Sequence, residues 1–403
     1  MSLDARTWLL AITFLTVARS ASIDAPSCAE PLKLSKSSCA QWRSNILPSN
    51  LPAARGNAFA DRDDAAALGM KIFYDNRFSQ AGSGVSCASC HDPEHSFSET
   101  KARSHTLKEA ARNAPDLINA AWYTRSHFWD GKVDNLWSAP LFTFEQDAEM
   151  GSSRLHVVHA LAAIYRQRYE KIFGPMPDIS EEKRFPDSGR PGTPEFNAMA
   201  AEDKLVVNQV YANVGKALEA YVRKLAAGGS PFDDFMTGSE KSLSPAAQRG
   251  MAAFTRYGCQ TCHSGPLFSD EGFHKLTSKP ASGGAQDPGR EAGVAFLRNW
   301  EFTANGRFAD PTKDAGTPLE APIESASNQR ETFRTPSLRN VALTPPYGHD
   351  GSFATLDQAI DAHAEILPGH TMVAAQDKGD MVEFLRSLSG RPPRAPWNFW
   401  PGG

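Results

Sequence analysis

The pentapeptide Cys87-Ala88-Ser89-Cys90-His91 returns later in the chain as Cys259-Gln260-Thr261-Cys262-His263. Each reads C-x-x-C-H, the spacing that attaches a c-type haem: two thiols add across the vinyl groups and the adjacent histidine binds the iron. One copy could equally belong to a zinc or redox dithiol site. Two complete copies take four of the six cysteines, and none of those four then needs a disulfide partner. The chain is therefore expected to carry two covalently attached haems, with His91 and His263 as iron ligands.

Its 403 residues allow two or three domains with well-buried cores. A net charge of −4 supplies no basic field for nucleic acid or an anionic membrane. Aromatic residues make up 10%, as suits a protein that must enclose large flat rings. At the start, Arg6 precedes an apolar run from Trp8 to Ala18, followed by Ser20, Ala21 and Ser22. That order predicts a signal peptide over residues 1–21 rather than a membrane anchor. Export agrees with haem attachment outside the cytoplasm, and points to the periplasm with no stable membrane span after processing. In such a compartment Cys28 and Cys39 are free to pair.

Residues 22–60 are polar and proline-spotted and read as an extension, either an ordered wrap or an arm. Residues 61–74 have the apolar spacing of a helix, with Leu68, Ile72 and Phe73 on one face and acids at its start. The helix leads through a Gly/Ser loop into the first C-x-x-C-H. Helical periodicity returns over Arg154–Phe173 and Lys204–Leu225, with the Pro/Gly-rich stretch 175–201 between them expected as a surface loop. Gly228-Gly229-Ser230-Pro231 reads as a hinge. A helix over Ser244–Tyr257, with a serine cap and proline at its first position, enters the second C-x-x-C-H as its counterpart entered the first. Residues 275–330 have no periodicity and read as an irregular connection; Thr355–His363 and Asp377–Leu388 are the closing helices. The fold class is mostly α, two cytochrome c-like haem domains with long irregular loops: 61–230, 231–390 and a tail over 391–403.

Around the two haem motifs stand Arg112-Asn113-Ala114-Pro115, Phe128-Trp129-Asp130-Gly131, Ala148-Glu149-Met150-Gly151 and the long run from Thr335 to Ser352. In this order they resemble the bacterial diheme cytochrome c peroxidases and the related MauG-type enzymes, from about residue 60 to 390. The resemblance implies that the haem on His91 is the peroxidatic centre and the haem on His263 the centre that receives electrons. It implies that Trp129 bridges them and that Glu149, twenty residues on, is the distal acid that moves a proton between peroxide oxygens. Asn113, Thr344 and Pro346 match the family's calcium site, with the hard oxygen ligands that Ca²⁺ takes. His105, eight residues before Asn113, matches the histidine that blocks the peroxidatic haem in resting classical peroxidases.

Two positions depart from the family. Fourteen residues after His349, where peroxidases carry Met and MauG-type enzymes Tyr, stands His363. A His/His pair lowers the potential relative to His/Met; Met372 is the weaker substitute ligand. Ten residues after Trp129, Ala139 replaces the usual Gln. The leading reading is a cytochrome-c peroxidase that takes hydrogen peroxide and electrons from a small cytochrome c or cupredoxin, with a homodimer among the family's common states. A MauG-like oxidase of a protein side chain and a non-catalytic diheme carrier are the other two.

Overall fold

The structure, a computed structural model, describes residues 36–276, 286–312, 329–367, 372–391 and 393. The expected signal segment 1–21, Cys28 and residues 394–403 lie outside these. The described chain is mostly helical with little strand: α1 (Lys36–Arg43), α2 (Asp63–Tyr74), α3 (Ala139–Phe144), α4 (Arg154–Phe173), α5 (Pro194–Ala198), α6 (Ala201–Lys224), α7 (Pro231–Met236), α8 (Pro245–Arg256), α9 (Arg290–Leu297), α10 (Leu356–Ala362) and α11 (Ala375–Arg386). One antiparallel pair, β1 (Phe273–His274) with β2 (Phe333–Arg334), sets Phe273 opposite Arg334. Helix starts follow their local chemistry. Ser244 accepts the amide of Ala247 at 3.1 Å ahead of Pro245, and Ser230 forms a capping box with Asp233.

Apolar residues gather into two cores. One takes α2, α4 and α6, with Trp137, Leu141 and Phe144. The other takes α7, α8 and α11, with Phe268 and Ile360. Each is built on one close helix crossing. In α2, a Cβ added at Gly69 would lie 1.9 Å from the carbonyl oxygen of Ala217 in α6. In α8, a Cβ added at Gly250 would lie 1.9 Å from the carbonyl oxygen of Asp380 in α11. Only glycine lets those backbones approach so closely. Four residues after each glycine, on the same helix face, a phenylalanine reaches the haem-motif histidine: Phe73 at 6.5 Å from His91 and Phe254 at 6.4 Å from His263, between ring centroids.

Two stretches differ from the sequence reading, and a third takes one of the two forms that it offered. Residues 175–201 are not simply a surface loop: α5 lies within them, and Met176, Ile179, Phe185, Phe196 and Met199 are buried in the first core. The extension 22–60 is an ordered wrap where it is described. Its Trp42, 1% exposed, packs in the second core against Phe232, Phe254, Phe268 and Phe384. The 275–330 connection contains α9 and sends Phe302 and Phe308 back into the first core. All three are held by isolated apolar anchors, which leave no period to read. Cys39 is buried and disulfide-bonded.

Candidate haem sites and their junction

Both C-x-x-C-H segments fold alike. Cys87–Ser89 and Cys259–Thr261 are single 3₁₀ turns. The amide of His91 donates to the carbonyl of Cys87 at 3.0 Å, and that of His263 to Cys259 at 2.9 Å. All four cysteines are free thiols, and desolvation pushes Cys87 up to about 12 and Cys90 and Cys259 up to about 11. Desolvation pushes both histidines down to about 4. They are thus neutral imidazoles fit to bind iron.

At the second motif the histidine is already oriented. His263 Nδ1 donates to the carbonyl of Phe268 at 2.9 Å, leaving Nε2 as the ligand atom. Across the crevice stands His363, at the C-terminus of α10, its ring centroid 6.3 Å from that of His263 and its plane tilted by 57°. With metal–imidazole bonds of about 2.0 Å on each side, and each centroid roughly 1.1 Å behind its nitrogen, two histidines sharing one iron would stand about 6.2 Å apart, close to the separation here. His263 and His363 would fit as the two protein ligands of one haem iron. Met372 is 60% exposed.

The first motif is different. His91 Nδ1 is buried, with the carbonyls of Phe97 and Pro115 pulling its pKa back up but neither in hydrogen-bond geometry. Glu149 stands within electrostatic reach of Cys90, whose pKa it raises. Burial holds the Glu149 carboxyl above its ordinary range, against the opposing pull of a hydrogen bond to Thr143 and of Lys132. Its backbone is pinned: Thr106 Oγ1 donates to the carbonyls of Ala148 and Glu149 at 2.9 and 2.8 Å. Thr106 is the neighbour of His105, which is exposed and bridged through its backbone to Glu109. Ala139 opens α3 and offers no polar atom.

Trp129 is fixed between the halves. Its indole N–H donates to the carbonyl of Asn113 at 2.9 Å, and its own carbonyl accepts the amide of Arg334 at 2.7 Å. The amide of Asn113 donates to the carbonyl of His349 at 2.9 Å, so the loop that carries Thr344 and Pro346 meets the Asn113 segment. The Asn113 Nδ2 donates to the Lys101 carbonyl at 2.9 Å, which leaves its amide oxygen as the end suited to a hard cation. Among the described residues one cluster of His, Cys and acid could hold a metal ion, Cys262, Asp270 and His274, and its cysteine belongs to the haem motif. Sequence reasoning passed over Arg334, which directly precedes the long C-terminal run, and over Asp116, which follows Pro115. Their signal was only adjacency to a motif.

Comparison with known proteins agrees with this architecture. The sequence model described as di-haem cytochrome c peroxidase matches residues 63–241. Cytochrome-c peroxidase IdrP2 of Denitromonas iodatirespirans is 30% identical over 85% of this chain and 85% of its own. The methylamine utilization protein MauG of Methylorubrum extorquens is 29% identical over 86% of this chain and 83% of its own. Cytochrome c551 peroxidase of Pseudomonas aeruginosa is 26% identical over 88% and 86%. In fold, a MauG-like protein associated with microbial copper homeostasis superposes with a TM-score of 0.62 at 24% identity, covering 87% of this chain and 97% of that one. The diheme peroxidase BthA of Burkholderia thailandensis superposes at 0.61 with 20% identity, over 87% and 97%. With two C-x-x-C-H crevices and relatives of both kinds along most of its length, the chain belongs to the di-haem cytochrome c peroxidase and MauG family.

Proposed function

We propose that the protein is a periplasmic peroxidase that reduces hydrogen peroxide to water with electrons from a small cytochrome c or cupredoxin. The observation that carries this reading is the asymmetry of the two crevices. His363 faces His263 across one, whereas a half-buried acid, Glu149, attends the other. In this reading the haems on Cys87/Cys90 and Cys259/Cys262 supply the electron storage and the O–O bond cleavage. Everything else falls to the chain. Glu149, its protonated form favoured by burial, carries a proton from one peroxide oxygen to the other, so that the departing oxygen leaves as water. The balance is H₂O₂ with two protons and two electrons giving two water molecules. Trp129, hydrogen-bonded on both sides, holds an aromatic path between the halves. Asn113, Thr344 and Pro346 hold one Ca²⁺ where the halves meet, and residues 61–230 and 231–390 form the two haem domains.

Peroxide mixed with enzyme and reduced cytochrome c, starting from fully oxidised and from half-reduced protein, tests the proposal. Because His105 is exposed, turnover is expected from both forms. Turnover only after half-reduction would restore His105 as a removable ligand. Spectral change at the haems without donor oxidation would favour oxidation of a protein side chain, as the similarity to MauG allows. No response from either form would leave an electron carrier.

A further inference from the structure

The junction beside Trp129 holds buried cationic and donor groups that the protein leaves unanswered. Arg334 is 5% exposed. Its Nε donates to the carbonyl of Phe128 at 3.2 Å and its guanidinium lies 3.7 Å from the Tyr123 ring centroid, yet its Nη1 is buried without a hydrogen bond. Arg55 gives Nη1 to the carbonyls of Thr124 and Asp134, while its Nε and Nη2 are buried and unpartnered. The hydroxyl of Ser126, in a residue 3% exposed, is in the same condition. Both guanidiniums bear on the buried ring of His127, which desolvation and then these two charges push down to about 3. Its centroid lies 6.3 Å from that of Tyr123, so His127, Tyr123 and the two guanidiniums share one neighbourhood; Ser126 precedes His127 in the chain, its hydroxyl beside Gly131.

Nearby acids do not balance this charge. Asp134 accepts from Ala304 and Asn135, and Glu271 from Thr124 and Arg125. Asp116 lies within the field of Arg334, but burial raises its carboxyl to about 7 and its Oδ1 is unpartnered. A desolvated guanidinium without an anion is costly, and buried polar groups in folded proteins nearly always find a partner. A carboxylate, which accepts from several donors at once, answers this arrangement.

The backbone indicates where that carboxylate comes from. Arg334 sits on β2, paired to β1. Thr335 donates its amide to the carbonyl of Gly272 at 2.9 Å, and its carbonyl accepts from Ser269 Oγ at 2.7 Å. The amide of Asp270 donates to the carbonyl of Cys262 at 2.8 Å. The pocket is therefore carried by the segment that continues directly from the second C-x-x-C-H. A haem tethered there through its vinyl groups has two propionate carboxylates on the far side of the ring. We propose that Arg334, with Arg55 and Ser126, binds a propionate of the haem attached at Cys259 and Cys262.

Since Arg334 also donates its amide to the Trp129 carbonyl, the same residue sets the haem edge against the aromatic bridge. The assignment rests on a haem at the second motif, so holoenzyme is first assayed for two haems per chain. Parent, R334Q, R334K and S126A are then titrated potentiometrically and examined by resonance Raman. In R334Q the midpoint potential of the low-spin haem falls, because a cation that favoured the more negative ferrous state is gone. R334K recovers part of the shift. The propionate bending band of that haem moves in both R334Q and S126A. S126A removes one unpartnered hydroxyl and serves if R334Q does not fold. Unchanged potentials and bands in haem-replete variants overturn the assignment, as does a shift confined to the haem on His91. One haem per chain in the parent would instead overturn the reading of the second motif.

Discussion

His363 Nδ1 donates to the carbonyl of Ala359, 2.7 Å away and one helical turn back in α10. The bond fixes the tautomer and leaves Nε2 as the nitrogen directed to a metal. His263 is locked the same way by Phe268. Both rings are thus oriented by their own backbone, in a crevice where desolvation keeps them neutral. His363→Ala is expected to convert the second haem from low-spin to high-spin in optical and EPR spectra. His363→Met should keep it low-spin and raise its midpoint potential, since a thioether favours ferrous iron. An alanine variant with an unaltered low-spin spectrum would remove His363 from the ligand set.

Glu149 combines a raised carboxyl with a backbone tied down by Thr106. Removing a positioned proton carrier typically costs about 10²–10⁴ in rate. Glu149→Gln keeps the shape and the capacity to hydrogen-bond but cannot shuttle a proton. Peroxide-dependent donor oxidation should fall by that order while haem content and both reduced spectra stay as in the parent. A glutamine variant within a few-fold of the parent would assign the proton transfer to another group.

The two pre-motif helices carry the same five-residue pattern, Gly69-Met70-Lys71-Ile72-Phe73 and Gly250-Met251-Ala252-Ala253-Phe254, and the reason lies in the crossings. At each glycine the partner backbone is already in contact, so Gly69→Ala and Gly250→Ala must part α2 from α6 or α8 from α11. Overpacking of this kind costs about 1–3 kcal/mol. Chemical denaturation should show each variant destabilised in that range. Because the phenylalanine four residues on would be displaced with its helix, the Soret band of the haem in the same half should shift. A spectral change in the opposite half would contradict the pairing.

What the sequence displayed of this fold was whatever repeats. Arg154–Phe173 is helical over the span its periodicity predicts, and the two haem motifs needed no structure to be seen. The shared G-M-x-x-F pattern stands in the sequence, yet it gains a meaning only from contacts with Ala217 and Asp380, far along the chain. Trp42, Phe302 and Phe308 anchor segments into cores distant in sequence, and a single apolar residue in a polar stretch carries no period. The site divides along the same line. Motif spacing pointed to Cys87 to His91, and the family resemblance to Glu149 and His363. Arg55, Ser126 and Arg334 became visible only through donors left buried without partners, a property of the folded chain alone.

A buried acid away from both motifs predicts how stability depends on pH. Glu219 in α6 is 3% exposed and accepts a hydrogen bond from Asn57 Nδ2 at 2.8 Å. Desolvation raises its carboxyl from 4.5 to about 7, against the opposing pull of Asn57 and Arg223. A folded-state value above the unfolded one means that the native protein holds the proton longer. Stability from this group is therefore complete below about 4.5 and is lost as pH rises through 7. The shift corresponds to about 3 kcal/mol. Denaturant titrations of parent and Glu219→Gln, followed by circular dichroism at pH 5 and pH 8, isolate it from the other ionisable groups. The parent should lose about 2.5 kcal/mol more than the variant between those two conditions. Equal losses would mean that Glu219 stays ionised in the fold, held by Arg223 and Lys216 in spite of its burial.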